Sequence, residues 1–410
     1  MRFKRHIQHF VIFSFSLFIF HFSSAQQLQS YINEAHTNNP NIQAYELRYN
    51  IAQEKVTEAN WLPNTEFAAG YFISEPETRT GAQVARFSVK QMLPWFGTVS
   101  VRQDYATAMA EADYVDYIIA KRKLTLAVSK SYYQLYSLKA KQKVLNGNIR
   151  LLKTYKTLAL TSIEVGKASA VDVLQLQIRQ NELQQHIEVL KEQILAEKVK
   201  FNSLLSRDTS LAIDLIPEMF IPNNDPIISD SLQLNPELLR FDKMYESITQ
   251  VELLNQKEGA PMLGFGLDYV PVQERSDISF SDNGKDIVMP MVSVSIPIFN
   301  KKYTSRTKQN ELRKQEVTLQ KQERLHLLES AFAKAVSQRN QARITYTTQS
   351  KNLKQAKDAE QILIKNYETG TIDFNDVLDI QELQLKFQLN QIQSVTRYYI
   401  QSAIINYLSN

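Results

Sequence analysis

The chain of 410 residues contains no cysteine, ten glycines and twelve prolines. The lack of cysteine excludes disulfide frameworks, thiolate nucleophiles and cysteine-based metal sites. Ten glycines are about a third of the ~7 % that is usual in proteins. So few residues that interrupt regular structure predict long helices and few loops.

The sequence also lacks a strong excess of charge of one sign, since 47 Lys and Arg face 43 Asp and Glu. Three of the basic residues, Arg2, Lys4 and Arg5, lie at the very start, and without them 44 basic residues face 43 acidic ones. A chain so nearly neutral has no broad attraction for polyanions. We therefore expect no nucleic-acid partner.

Long apolar runs are missing, apart from one near the N-terminus. Residues Phe10 to Phe22 are largely apolar, follow a basic stretch and precede Ser23-Ser24-Ala25. Thirteen residues are too few to cross a ~30 Å hydrocarbon core, whereas basic, apolar and small residues in this order are typical of a secretory signal. We predict that residues 1–25 are a signal peptide, that the mature chain is exported, and that it has no transmembrane helix.

The mature sequence contains an internal repeat. Asn39-Pro40 recurs 196 residues later as Asn235-Pro236. A second motif recurs 204 residues later, with Glu164-Val165-Gly166 and Asp172-Val173-Leu174 matched by Glu368-Thr369-Gly370 and Asp376-Val377-Leu378. Offsets that change so little indicate a duplicated unit. We predict a first repeat over 26–206, a linker over 207–231, and a second repeat over 232–410.

Each repeat has the pattern helix, β-hairpin, long helix, turn, helix. Alternation of apolar and polar residues predicts strands over Thr65–Ile73, Val84–Leu93, Met262–Val270 and Val288–Ile296. Helical patterns cover 28–61, 98–165, 168–206, 298–369 and 373–408, and the two longest would measure about 100 Å. The seam of the helix after the first turn follows coiled-coil spacing, with Leu176, Leu183, Ile187, Leu190, Ile194, Phe201 and Leu204.

Four alternating strands of about ten residues are long enough to cross an outer membrane when tilted. Four strands on their own leave two open edges, whose backbone N–H and C=O groups find no hydrogen-bond partner in lipid. Closure therefore requires further copies of the chain, and three copies give twelve strands with room for a lumen. The long helices would continue this tube away from the membrane.

The paired Asn-Pro helices and hairpins, the strand ending Leu93-Pro94-Trp95-Phe96-Gly97 and the Val-Gly and Asp-Val-Leu turns resemble the TolC family of outer-membrane efflux channels. The resemblance covers nearly all of 26–410. It implies a mainly α fold with a membrane β-part: a homotrimer whose long antiparallel helices form an α-barrel continuous with a 12-stranded β-barrel, four strands per chain. It also implies a passive exit channel, not an enzyme, that spans outer membrane and periplasm without a cofactor.

The family resemblance further implies partners. Such channels work in tripartite systems, in which they dock a periplasmic adaptor protein and an inner-membrane pump, here expected to be of the RND type. Docking is expected at the helical turns, through Val165, Gly166 and Lys167 in the first repeat and Thr369, Gly370 and Thr371 in the second. The Leu-Pro-Trp-Phe-Gly ending favours the CusC- and CzcC-like metal-efflux branch.

A gate is expected beside the second turn. Asp376 and Asp379 share one helix face, and they match the aspartate pair of the family's periplasmic constriction, where three copies would form two rings of carboxylates. Asp172 and Tyr367 match the family's closing network. Ile372 departs from the family, because it stands where an arginine pairs with those residues.

Two other functions remain open at this point. The chain could be the exit duct of a type I protein secretion system, or a soluble periplasmic coiled-coil interaction protein whose strands form a small closed domain. Met262, Met289 and Met291 cluster near the strands of the second repeat. Methionine is a soft metal ligand, but apolar packing in the barrel is the favoured interpretation, and we predict no metal site.

Overall fold

The computed structural model describes residues 26–164, 169–225, 232–277, 279–369, 371–372 and 374–409. The signal peptide predicted for 1–25 lies outside the described residues, as do Val165, Gly166, Lys167 and Gly370 of the predicted docking turns. The last part of the predicted linker, 226–231, also lies outside them.

Seven α-helices occupy most of the described chain. The first, α1, covers 26–38. The others are α2 (Pro40–Glu58), α3 (Thr98–Glu164), α4 (Ala170–Leu204), α5 (Pro236–Glu258), α6 (Lys302–Thr369) and α7 (Phe374–Ser409). With 67 and 68 residues, α3 and α6 have the length that the scarcity of proline and glycine predicts.

The strands form two sheets. The larger sheet has the order β1–β4–β5–β7 and consists of β1 (Glu66–Tyr71), β4 (Ala85–Leu93), β5 (Met262–Val270) and β7 (Ile287–Ser295). Neighbouring strands in this sheet are antiparallel. The four predicted strands are thereby confirmed, with ends that shift by no more than two residues.

A second, smaller sheet was not predicted. It joins β2 (Glu77–Thr78), β3 (Gly81–Gln83) and β6 (Val272–Gln273) in the order β2–β3–β6. Strands of two or three residues are too short to show a period. At Gly81 the φ of +134° and the close approach of the Gln273 carbonyl leave no room for a side chain, so this turn requires glycine.

The prediction of one helix over 28–61 is wrong, because the helix is interrupted at Asn39, which separates α1 from α2. Pro40 occupies the first position of α2, where its missing N–H costs nothing. The Asn39 side-chain oxygen accepts from the Asn41 N–H at 3.0 Å, which caps the new helix. The Asn39 amide group donates to the Leu204 carbonyl at 2.9 Å, at the end of α4. Asn39 therefore serves two helix ends at once.

The Asn-Pro pair of the second repeat makes the equivalent contact. Asn235 precedes Pro236, the first residue of α5, and its amide group donates to the Leu408 carbonyl at 2.8 Å near the end of α7. In both predicted repeats, asparagine ties the start of one helix to the end of the repeat's last helix. This contact explains why the motif recurs.

The chain divides into two compact units, each drawing on both predicted repeats. Unit 1 contains the described residues within 1–44, 118–235 and 325–410, and unit 2 contains 45–117 and those within 236–324. Unit 2 holds both sheets and the helical segments next to them. Its helices are joined by polar contacts such as Asn310 to Glu252 at 2.8 Å and Asn255 to the Tyr303 carbonyl at 2.9 Å.

In unit 1, segments of α3, α4, α6 and α7 share one apolar cluster. The predicted α4 seam contributes Leu176, Leu183, Ile187 and Leu190, each less than a tenth exposed. From the other helices come Leu152, Tyr155, Tyr367, Phe374, Val377 and Leu385, among others. The coiled-coil spacing is thus confirmed as a buried seam.

Tyrosines hold the described part of the linker, 207–225, against the helices of unit 1. The hydroxyls of Tyr31, Tyr132 and Tyr136 accept from the backbone N–H groups of Asp214, Ile216 and Met219 at 2.9–3.1 Å. Further along, the Tyr399 hydroxyl donates to the Phe220 carbonyl at 2.8 Å. These bonds satisfy backbone groups of a segment that has no regular structure of its own.

Asp225 ends the described part of the linker in a charged contact. Its carboxylate accepts from the Tyr398 hydroxyl at 2.6 Å, lies 3.3 Å from the Arg339 guanidinium and pairs with Arg343. Burial alone would raise the pKa of Asp225, but the bonds from Tyr398 and Arg343 and the charge of Arg339 outweigh it and lower that pKa. Burial and the bond to Asp225 raise the pKa of Tyr398 to about 12.

We expect Asp225→Asn to release the linker, because Arg339, which is 4 % exposed, would lose its charged partner. Cleavage of the linker by added protease should become several-fold faster, since a charged hydrogen bond contributes about 1.5 kcal/mol or more. Asp208→Asn is the matched control, because the Asp208 carboxylate lies in the same linker, is exposed, and accepts from the N–H and hydroxyl of Ser210.

The wild-type chain should show the same release at low pH. A lowered carboxyl pKa gives stability that is present above the unfolded value of ~3.9 and is lost as the pH falls through the folded value. Equal cleavage rates for wild type and Asp225→Asn at neutral pH would contradict this role of the carboxylate.

Candidate functional site

One face of the four-stranded sheet is apolar across every strand. Because the register pairs Phe67 with Val89 and Val89 with Leu267, these side chains stand in one row. The complete face consists of Phe67, Ala69, Tyr71, Ala85, Phe87, Val89, Gln91, Leu93, Leu263, Phe265, Leu267, Tyr269, Val288, Pro290, Val292 and Val294. Phe67 is 77 % exposed and Val292 is 71 % exposed. Within the part of the chain that the structure describes, most of this face is left exposed.

Gln91 is the one amide on the apolar face, and its polar atoms are satisfied. Its side-chain nitrogen donates to the Pro63 and Met92 carbonyls at 2.8 and 2.9 Å, and its oxygen accepts from the Thr65 hydroxyl. An amide with these bonds can lie in an apolar medium at little cost.

The opposite face carries the polar residues of the sheet. It includes Glu66, Arg86, Ser88, Lys90, Asp268, Ser293 and Ser295. Asp268 is fully buried, pairs with Arg86 and accepts from the Ser88 hydroxyl at 2.7 Å. The alternation predicted from the sequence thus separates an apolar face from a polar face.

Aromatic side chains stand where strands end and helices begin. Trp95 and Phe96 follow β4, and Phe299 follows β7; Phe96 is 75 % exposed and Phe299 is fully exposed. Trp61 lies at the equivalent place before β1, with the Arg102 guanidinium 4.2 Å from its ring centroid. Tryptophan and other aromatic rings in such a band are typical of a membrane–water boundary.

The second predicted site lies in unit 1, beside the turns between the long helices. Asp376 and Asp379 are both exposed on α7, whereas Val377 between them is buried. Asp379 lines a shallow cleft of about 240 Å³ between α4 and α7, together with Arg179, Glu182 and Glu382. The structure therefore leaves the predicted carboxylate pair open to other molecules.

Asp172, the counterpart of Asp376 in the first repeat, has a different setting. It is 9 % exposed, and its carboxylate accepts from the Ser169 N–H at 3.0 Å. The Ser169 hydroxyl in turn accepts from the Val171 N–H, which completes a capping box at the start of α4. In this chain Asp172 stabilises a helix end, while its predicted part in a closing network stays a prediction.

Tyr367 and Ile372 both belong to the apolar cluster of unit 1. Tyr367 is 4 % exposed and its ring centroid lies 4.8 Å from that of Phe374. Ile372 packs against the same cluster. The isoleucine therefore extends the apolar packing at a position where the resemblance implied a cation.

Polar links between the helices of unit 1 were not predicted from the sequence. Arg179 on α4 pairs with Glu382 on α7 at 2.7 Å and with Glu182 at 2.9 Å. Burial alone would lower the pKa of Arg179, but these two carboxylates raise it. Tyr155 on α3 donates to Glu360 on α6, which also accepts from the Gln384 amide at 2.8 Å. Burial and the bond to Glu360 raise the pKa of Tyr155.

The described part of the second predicted docking turn is an ordered helix end. The Asn366 carbonyl accepts from the Thr371 N–H at 3.0 Å and from the hydroxyls of Thr369 and Thr371 at 2.9 and 2.8 Å. A bond from an N–H five residues along the chain is typical of a Schellman ending. Both threonines are exposed.

Within the ranges that the structure describes, no helix has the length and apolar character that crossing a membrane requires. Nor do the described residues contain a group of three or more His, Asp or Glu side chains placed to hold a metal ion.

Residues 31–206 match the family model described as "Outer membrane efflux protein". Over these residues the chain is similar to the outer membrane efflux protein family. No curated protein matches the chain in a sequence comparison. The family consists of channels and not of enzymes, and it is located in the outer membrane.

Solved structures extend the likeness to 93–94 % of the chain. CusC has a TM-score of 0.76 at 13 % identity, over 94 % of this chain and 92 % of CusC. VceC from Vibrio cholerae has a TM-score of 0.73 at 17 % identity, over 94 % of this chain and 96 % of VceC. The CmeC outer membrane channel of Campylobacter jejuni has a TM-score of 0.73 at 15 % identity, over 93 % of this chain and 85 % of CmeC. The TM-scores establish a shared fold over the matched part of the chain, which includes most of the predicted second repeat.

The family match favours the efflux channel over the soluble coiled-coil interaction protein. The uncovered apolar face agrees, since a soluble domain would bury it. The chain also combines the larger, four-stranded sheet with long helices, which is the combination expected for the efflux family.

We expect Ala69→Lys to lower recovery of the protein from the outer membrane, because position 69 lies on the apolar face. A lysine facing lipid costs up to about 2–4 kcal/mol at mid-depth in a barrel. Ala68→Lys is the matched control, since Ala68 is the preceding residue of β1 and lies on the polar face. Quantitative blotting of membrane fractions would measure both variants. Equal loss in both would contradict the assignment of the faces.

Proposed function

We propose that this chain is the outer-membrane exit channel of a tripartite efflux system, acting as a homotrimer. The observation that carries the proposal is the largely exposed apolar face of a four-stranded sheet in a chain that matches the outer membrane efflux family. CusC is described as forming a transmembrane channel, and CmeC as an outer membrane channel. Both support the same role here.

The edges of the sheet support the trimer. Among the described strands of this sheet, β1 pairs only with β4 and β7 only with β5. In lipid, an unpaired strand edge costs several kcal/mol for each unsatisfied backbone group. Three copies join three such pairs of edges into twelve strands, a barrel wide enough for a lumen. The apolar face then meets lipid and the polar face lines the lumen.

The gate is proposed at Asp376 and Asp379. Both carboxylates are exposed on α7, so three copies can present two rings of three carboxylates to the lumen. Such rings attract cations and set selectivity. With Ile372 in the apolar cluster, closure depends on other links between helices, such as Arg179 with Glu382.

Docking is proposed at the helical turns. Thr369 and Thr371 are exposed at an ordered helix end. With Val165, Gly166, Lys167 and Gly370 they would meet a periplasmic adaptor, which connects the channel to an inner-membrane pump of the RND type. The cargo proposed from the Leu-Pro-Trp-Phe-Gly ending is a metal ion.

The function is tested by purifying the mature chain from outer membranes and measuring its mass by light scattering corrected for detergent. We expect a mass that corresponds to three copies, and we expect the same protein to form conducting channels in planar bilayers. A monomer from the soluble periplasmic fraction would overturn the proposal and support a coiled-coil interaction protein.

For the gate, we expect Asp376→Ala combined with Asp379→Ala to raise single-channel conductance or to lower cation preference in planar bilayers. The reason is that both carboxylate rings disappear, while the apolar neighbour Val377 keeps its packing. Glu368→Ala is the control, as an exposed acid at the end of α6. Unchanged selectivity in the double variant would remove both aspartates from the gate.

A further inference from the structure

The exposed apolar surface of the sheet continues past the end of β7 toward the start of α6. Ile296 follows Val292 and Val294 in the alternation of that face. Ile296 is 56 % exposed, Ile298 is 72 % exposed and Phe299 is fully exposed. These three residues, here called the apolar strip, extend the apolar surface up to the first residues of the helix.

Two lysines come directly after the apolar strip. Lys301 and Lys302 are both exposed, and residues 287–310 include four basic residues and no acidic one. The other two basic residues, Arg306 and Lys308, each pair with a glutamate at 3.0 Å. Within the part of the chain that the structure describes, no acidic side chain forms an ion pair with Lys301 or Lys302. Their charges are therefore available to a partner from outside the chain.

The first repeat uses its cations differently at the same place. The residue that matches Lys301 after β4 is Thr98, which is 2 % exposed. The cations nearby are bound to the protein itself, since Lys257 and Arg102 each donate to a backbone carbonyl, at 3.2 and 3.1 Å. The second repeat thus presents two lysines without acidic partners where the first repeat has a buried threonine.

Hydrogen bonds hold the start of α6 in place. The Asn300 side-chain oxygen accepts from the Lys302 N–H at 2.9 Å, which caps the helix. Asn255, which is buried on α5, donates to the Tyr303 carbonyl at 2.9 Å. These bonds fix the backbone from which both lysines project.

An exposed apolar strip beside two such lysines is complementary to a phospholipid with a negatively charged headgroup. Lysine can lay its apolar stem along an apolar surface while its amine reaches a charged group. Each lysine near an anionic membrane surface strengthens attachment about fivefold. At this end of the sheet the helices begin, so the adjoining leaflet is the periplasmic one, which in an outer membrane consists of phospholipid.

We propose that the apolar strip and the two lysines form a binding site for an anionic phospholipid of the periplasmic leaflet, such as phosphatidylglycerol. Its acyl chains lie against Ile296, Ile298 and Phe299, and its phosphate lies between the amines of Lys301 and Lys302. The inference goes beyond the channel function, because it rests on the outer-membrane location and names the lipid that the barrel holds at its periplasmic end.

The test is native mass spectrometry of the full mature chain in detergent, titrated with phosphatidylglycerol or with phosphatidylcholine of the same acyl chains. Wild type is expected to bind phosphatidylglycerol about tenfold or more tightly than phosphatidylcholine. Lys301→Gln with Lys302→Gln should abolish most of this preference and leave phosphatidylcholine binding unchanged. Lys351→Gln with Lys354→Gln is the matched control, because these are two exposed lysines about fifty residues further along α6.

Phe299→Ser tests the apolar part of the site. It removes an acyl-chain contact and should weaken the binding of both lipids to a similar degree, about threefold or more. Equal binding of the two lipids by wild type, a preference that Lys301→Gln with Lys302→Gln retains, or an equal loss in the control pair would overturn the site. Competition by millimolar inorganic phosphate would reveal an anion site without the lipid and would also overturn it.

Bilayer recordings separate this inference from the function. Conducting channels without a preference for phosphatidylglycerol would refute the lipid site alone. A preference that depends on Lys301 and Lys302, in a protein that forms no channels, would refute the proposed function alone.

Discussion

Backbone hydrogen bonding in lipid is the constraint on which the architecture depends. An apolar medium offers no partner for an exposed N–H or C=O group, so a sheet with an apolar outer face has to close on itself. One chain provides four strands of this sheet, and in the proposed trimer closure becomes a property of the assembly. The same requirement makes one face of each strand apolar and leaves the other free for polar residues.

The elements with strong periodicity could be predicted from the sequence. Residues such as Val292 and Val294 alternate with serines, and this alternation fixed both the strand and its outward face. The long helices followed from the scarcity of proline and glycine. Between Leu176 and Leu190, the spacing of apolar residues located a buried seam, because a helix returns the same face every 3.6 residues.

Other features had no signal of this kind. The strands of the sheet of β2, β3 and β6 are too short to show a period. The interruption at Asn39 was missed because Pro40 was interpreted as a proline tolerated in the first turns of one continuous helix. Ion pairs such as Arg179 with Glu382 join residues about 200 positions apart, which charge patterning along one helix cannot reveal. The tyrosines that hold the linker lie on three helices, so only tertiary packing brings them together.

The two Asn-Pro contacts have a consequence for how such a chain can arise. Asn39 ties to Leu204, and Asn235 ties to Leu408, so each repeat closes its own start onto its own end. A unit closed in this way can be copied in tandem with no new contact beyond a linker. Since each repeat supplies two strands of the larger sheet, an unduplicated ancestor would need six copies to build the ring that three copies of this chain are proposed to form. The predicted duplication would halve the number of subunits and allow the two repeats to diverge, and the different settings of Asp172 and Asp376 agree with this.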